Sequence, residues 1–154
     1  MTWLLVVAVV AMAGVAVGFR FVGHDPSIWH ADPLTTDRTG RPNDFLAGPA
    51  GAMASEPDAA LAGRDLPPRE LLFLFNSIAS NAPRTRVIGG KLDDLHVTYV
   101  QQSALFGFPD YISVKVVEEG DGSALAIWSR SRFGYSDMGV NRDRVERWLA
   151  AMGG

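Results

Sequence analysis

The 154-residue chain has no cysteine, which excludes disulfides, thiolate metal sites, a cysteine nucleophile and a lipidated cysteine together. It also has no surplus of positive charge: 14 Lys and Arg stand against 17 Asp and Glu, with a pI near 5.5. Without an overall positive field to gather phosphates, nucleic acid is not an expected partner. Histidine is scarce, three in all, and no His-x-x-x-His pair, nucleophile elbow or glycine-rich phosphate loop is present. No cofactor or metal is expected, and catalytic machinery is not visible.

Charge is missing altogether from one stretch. Thr2 to Phe19 reads TWLLVVAVVAMAGVAVGF, eighteen residues without an ionisable side chain. As a helix it would be about 27 Å long, close to the hydrocarbon thickness of a bilayer. Trp3 at one border and Arg20 at the other suit the two interfaces. Residues 1–22 therefore read as a transmembrane anchor, with the lipid bilayer as partner. Ala11-Met12-Ala13 has the small-x-small form of a cleavage site and supports the competing reading as a signal peptide, although a basic n-region is missing. Arg20, Arg38 and Arg41 after the helix lean toward a cytoplasmic domain by the positive-inside rule.

Residues 23–66 are rich in Pro, Gly, Ala and Asp and keep neither a period of 2 nor of 3.6, as expected of an irregular juxtamembrane linker. Trp29, Phe45 and Leu46 are too apolar for free chain, so parts of it should pack on the folded domain. His24, Asp25, His30 and Asp32 are metal-ligand types in no defensible spacing. Beside Pro26 and Pro33 they read as turn residues.

Residues 67–154 should form a small α+β domain. A compact unit of this size buries only about 60–65% of its unfolded surface, so it depends on close packing. After Pro67-Pro68, Leu71, Leu74, Phe75 and Ile78 fall at helical spacing, and Pro83 ends the run. Four strand-like runs follow, near 84–88, 96–103, 111–118 and 123–132, with Glu119-Gly120-Asp121-Gly122 as a hairpin signal. A last helix begins near Asn141, carries Val145, Trp148, Leu149 and Met152, and ends at Gly153-Gly154. The expected architecture is a two-layer sandwich: about four antiparallel strands with two helices on one face.

In the fourth run Trp128, Arg130 and Arg132 share a face by the strand period of two. Two guanidinium groups beside an indole can take a carboxylate or phosphate, and Asp110, Asp137 and Asn141 are grouped with them as candidate ligand-binding residues. The alternative is that the arginines pair with Asp110, Asp137 or Glu118 across the sheet surface. The aromatic segment 104–111 either dips into a nearby membrane interface or folds back over the core.

LFGFPDYISVKVV, followed by SRSRFGYSDMGVNRDRVERWL, resembles the domain of unknown function family 1499. WHADP at 29–33 and PRTRVIGG at 83–90 are similar to its membrane-anchored proteobacterial members. The resemblance implies no established activity, and it implies an extracytoplasmic domain at the inner membrane, against the charge count. Other members often carry a Cys-containing N-terminal portion that this chain lacks. The expectation is a single-pass envelope protein whose non-catalytic domain binds an anionic lipid, small molecule or protein partner. A small hydrolase or isomerase using His96 or Asp110, and a purely structural envelope protein, are the alternatives.

Overall fold

In the computed structural model, residues 2–38 and 40–153 are described. Met1 of the expected anchor, Thr39 of the linker and Gly154 of the expected helix end lie outside them.

The uncharged run forms helix α1 (Thr2–Arg20), with Trp3, Leu5, Val9, Met12 and Val17 all exposed. Among the described residues nothing covers this apolar surface before Phe19. The helix is long and apolar enough to cross a membrane, and an anchor and a signal sequence both have that length and composition.

A short helical turn, α2 (Pro26–Trp29), follows, capped where the Asp25 carboxylate accepts from the Ser27 N–H. Among the described residues the sheet has six strands: β1 (Asp44–Gly48), β2 (Ala59–Ala60), β3 (Thr85–Lys91), β4 (His96–Gln102), β5 (Pro109–Glu119) and β6 (Gly122–Ser131). Their spatial order is β2-β1-β6-β5-β4-β3. All neighbours run antiparallel except β1 and β2, so the sheet is mixed.

This corrects the expected four-stranded antiparallel sheet. Four consecutive strands form a meander, and two more come from 44–60, which lacks a strand-like period. The Asp44-Phe45-Leu46-Ala47 segment finds its partner in β6, eighty or more residues away, with Leu46 opposite Trp128. Such a pairing leaves no local signal in a five-residue strand that is buried on both sides.

Helices α3 (Pro68–Asn81) and α4 (Val140–Ala151) share one core with the strands. Alternate residues Phe45, Tyr99, Ile112, Val114 and Ile127 point into it. From α3 come Leu71, Leu72, Phe75 and Ala79. The stripe is turned slightly from the expected one: Leu74 and Ile78 sit at its margin, and Phe73 is exposed. Full burial of a side chain such as Phe75 is worth about 1.5–3 kcal/mol. In α4 the buried positions are Asn141, Arg144, Val145 and Trp148. Two of the four are polar, and these decide what lies at that end of the core.

The sheet's other face is covered by residues 24–36. They run across it as a strap, so a large part of segment 23–66 belongs to the folded unit.

Candidate functional site

Strand periodicity puts Thr98, Val100, Tyr111, Ser113, Trp128 and Arg130 on the strap side of the sheet. Trp29 of α2 stacks on Tyr111, 4.0 Å between centroids and 11° between planes. His30 stacks on His96 at 3.9 Å and is joined through Nδ1 to Thr98 Oγ1 at 2.8 Å. His24 Nδ1 lies 2.9 Å from the Tyr111 hydroxyl. His96 Nε2 donates to the Ala31 carbonyl at 3.1 Å, and Lys115 pairs with Asp32. All three histidines of the chain therefore lie in one seam between strap and sheet.

A glycine pair makes the seam possible. Pairing of β3 with β4 shifts at Val87/Gly89, and Gly90 turns the chain at φ +76°. A Cβ on Gly90 would fall 2.0 Å from the His96 carbonyl oxygen, and one on Gly89 would meet the His30 Cβ at 3.0 Å and its ring at 3.1 Å. The bulge thus leaves a shelf on which His30 rests.

Arg130 sits beneath the strap, 7% exposed, with its guanidinium carbon 3.9 Å from the centre of the Trp128 ring. It donates to Ser113 Oγ at 3.1 Å, to the Trp29 carbonyl at 2.6 Å and more weakly to the Trp128 carbonyl. Burial pulls its pKa down to about 10 against the upward pull of Tyr111 and Asp44. Trp128 is itself fixed by Nε1–H donating to Asp44, whose carboxylate is already paired with Arg38. Arg132, half-buried, donates to the Gly23 carbonyl at 2.8 Å and to the Tyr111 hydroxyl at 3.1 Å, 5.3 Å from the Trp29 ring centre. Among the described residues no carboxylate comes within ion-pair distance of Arg130 or Arg132.

The structure thus brings Trp128, Arg130 and Arg132 together and sends the other three candidates to the opposite face. Asp110 alternates with Ile112, so it points toward the helices and pairs with Arg144 at 2.6 Å. Arg144 also donates to Gln101, Ser129 and Asn141. The Asn141 amide donates to Ser131, Asp137 and the Asn43 carbonyl. Asp137 further accepts the backbone N–H groups of Gly139 and Asn141, capping α4. The cross-sheet pairing of Arg130 or Arg132 with Asp110 or Asp137 does not occur, because strand parity puts Asp110 on the helix side and Asp137 is engaged at the start of α4. Glu118 is exposed near the far end of the β5–β6 hairpin.

Sequence reasoning missed Arg144, Tyr111 and Asp44 as parts of these constellations. A signal for Arg144 was present: Asn141, Arg144, Val145 and Trp148 are spaced i, i+3, i+4, i+7, so the arginine lies on the buried stripe. Among the described residues no three His, Asp or Glu side chains converge to hold a metal ion. A shallow cavity of about 290 Å³ lies elsewhere, lined by residues that include Leu61, Leu71, Leu125 and Leu149 but none of the candidate residues.

Charge state follows from these surroundings. Burial, with Arg86 and Arg132 nearby, holds His24 below its ordinary value of 6.5. His30 is lowered by burial and Arg130 against the pull of Asp32 and Asp94. His96 is lowered by burial, His30 and Lys115 against the Ala31 carbonyl and Asp32. All three imidazoles are accordingly neutral at pH 7, and His24 Nε2 is buried without a hydrogen-bond partner.

A search of curated proteins found no match to the chain. The family described as Protein of unknown function (DUF1499) matches residues 34–152, from the end of the strap through β1 to the last residues after α4. The chain belongs to that family.

Proposed function

We propose that this is a membrane-anchored envelope protein, its domain on the extracytoplasmic side, and that the domain is a non-catalytic binding module for an anionic group. The carrying observation is the pair Arg130 and Arg132: two guanidiniums beside aromatic rings, one of them buried, and neither within ion-pair distance of a carboxylate among the described residues. Buried charges are normally paired, and a planar guanidinium is built for two-pronged bonding to carboxylate or phosphate. The groups now meeting these donors are neutral: the Trp29 carbonyl of the strap, the Gly23 carbonyl just before it, and the Ser113 and Tyr111 hydroxyls of the sheet. They are weaker partners than an anion. In this reading the strap holds the place of the ligand, and an arriving carboxylate or phosphate competes with it, first at the half-exposed Arg132.

A hydrolase or isomerase built on His96 or Asp110 has less support. The Asp110 carboxylate is engaged by Arg144, and His96 is stacked under His30 with its Nε2 on a carbonyl. Titration of the full chain with inorganic phosphate and with acetate, followed by NMR of the Trp128 indole and Arg132 Nε–H groups, tests the binding reading. Both signals should shift together in the parent protein, and the Trp128 shift should vanish in Arg132→Gln. Unmoved signals, or a shift that survives Arg132→Gln, would sink it and leave the face as scaffold.

A further inference from the structure

The end of the domain next to α1 differs from the other end in two independent ways. The first is apolar exposure. The β4–β5 loop presents Leu105, 72% exposed, with Phe106 and Phe108 beside it, and the segment after β6 presents Phe133 and Tyr135, the latter 72% exposed. These rings meet the helix itself: Phe19 lies edge-on to Phe108 at 4.6 Å and to Phe133 at 4.9 Å. Arg20 donates to the Ala104 carbonyl at 2.7 Å, and Gln102 donates back to the Arg20 carbonyl. The aromatic loops therefore sit where the apolar helix ends.

The second is charge. Arg20, Arg84, Arg86 and Arg132 gather at this end, and among the described residues none of them makes an ion pair. Arg84 donates to the Gln102 carbonyl, while Arg20 and Arg132 hold carbonyl oxygens and a phenol. The nearby acids are occupied, Asp110 by Arg144 and Asp137 by the start of α4, and Asp25 accepts from Ser27. At the far end the β3–β4 connection carries Asp93 and Asp94 beside Lys91, with Asp93 paired to Arg69, and the β5–β6 hairpin carries Glu118, Glu119 and Asp121, so acids outnumber bases there. The domain is thus polarised along its strands, arginine and aromatic toward α1, acidic away from it.

The geometry points to this end as a docking surface for an anionic bilayer, with the 103–108 and 132–138 loops seated among the headgroups and Arg84, Arg86 and Arg132 facing lipid phosphates. Aromatic side chains with a polar rim favour that depth, and basic residues beside a membrane segment are drawn to anionic leaflets. The inference rests on the reading of α1 as a membrane segment, and it fixes how the domain sits over the membrane.

Because the chain has no cysteine, single-cysteine variants of the full protein can carry a spin label. Val10→Cys reports on the helix, Leu105→Cys and Tyr135→Cys on the loops, and Asp121→Cys on the far hairpin. In discs of mixed phosphatidylcholine and phosphatidylglycerol, the labels at 105 and 135 should collide severalfold less with an aqueous nickel chelate than the label at 121. Adding Arg84→Gln and Arg86→Gln should remove much of that shielding. Labels at 105 and 135 as open to water as 121, with 10 buried in acyl chains, would overturn the docking alone. A label at 10 in water would overturn the membrane reading of α1 and the docking with it. Equal shielding in pure phosphatidylcholine discs overturns the role of anionic lipid, and shielding that appears only with several chains per disc makes a second copy the occupant and overturns the proposal.

Discussion

Arg144 and Arg130 are buried arginines on opposite faces of one sheet, 3% and 7% exposed, and the two faces give them opposite company. On the helix side Arg144 meets Asp110, and its remaining donors are taken by Gln101, Ser129 and Asn141. On the strap side Arg130 meets an indole face, a hydroxyl and backbone carbonyls. The charge of Arg144 is cancelled by a carboxylate and that of Arg130 is only solvated by neutral groups. A cancelled, fully bonded pair holds two elements in register, here α4 against β5 and β6. A solvated cation keeps its capacity for an anion, which is why Arg130 and its neighbour Arg132, and not the paired Arg144, carry the functional proposal.

The largest effect should come from breaking the cancelled pair. Asp110→Asn leaves Arg144 buried without its counter-charge, and loss of one partner of such a pair costs about 3–5 kcal/mol. Urea denaturation should show this, and Asp110→Asn combined with Arg144→Met should recover a good part of it. A cost below about 1 kcal/mol would mean that Arg144 is as well served by neutral partners as Arg130, and the contrast between the faces would fall.

Next is the shelf under the strap. Gly90→Ala forces a Cβ toward the His96 carbonyl at a φ of +76°. Strain of this kind costs about 1–3 kcal/mol, and hydrogen exchange should rise in residues 24–36 well before it rises in the core. Uniform loosening of both faces would show that strap and core unfold as one unit.

The smallest effect is that of pH, and its sign follows from the three lowered imidazoles. The unfolded chain takes up protons as pH falls through the ordinary value of 6.5, while the folded one resists until lower pH. Stability from the seam is therefore complete above that value and declines as pH falls below it. Protonated His24 would face Arg86 and Arg132, and protonated His30 and His96 would face each other, with Asp32 and Asp94 offsetting part of the repulsion. Denaturation midpoints should drop on acidification through this range. Replacing His24 and His30 with Gln should flatten the drop, whereas an unchanged slope would assign it to carboxylates of the other face.

Much of the domain was legible because its signals are local. Periods of 3.6 and 2 marked α3, α4 and the four-strand meander, and the family resemblance rested on contiguous runs. Strand β1 was not legible, since its pattern makes sense only against β6. Within the site, parity along a single strand was enough to unite Trp128, Arg130 and Arg132. Assigning Asp110 to them ignored the same rule, because it alternates in phase with Ile112 and Val114 and so belongs to the core side. Trp29 was recognisable as too apolar for open chain, yet its seat on Tyr111 required the strap's path, which no spacing encodes.

That path also sets how far the domain can travel. Were residues 21–43 a flexible tether, the domain would wander about 25 Å from the end of α1. Docked along the sheet, the same residues give it almost no leash, and Arg20 and Phe19 lie directly against its loops. With α1 in a bilayer, the domain would scan only a thin layer of space beside the membrane, at a nearly constant tilt, and any partner would have to be met within that layer.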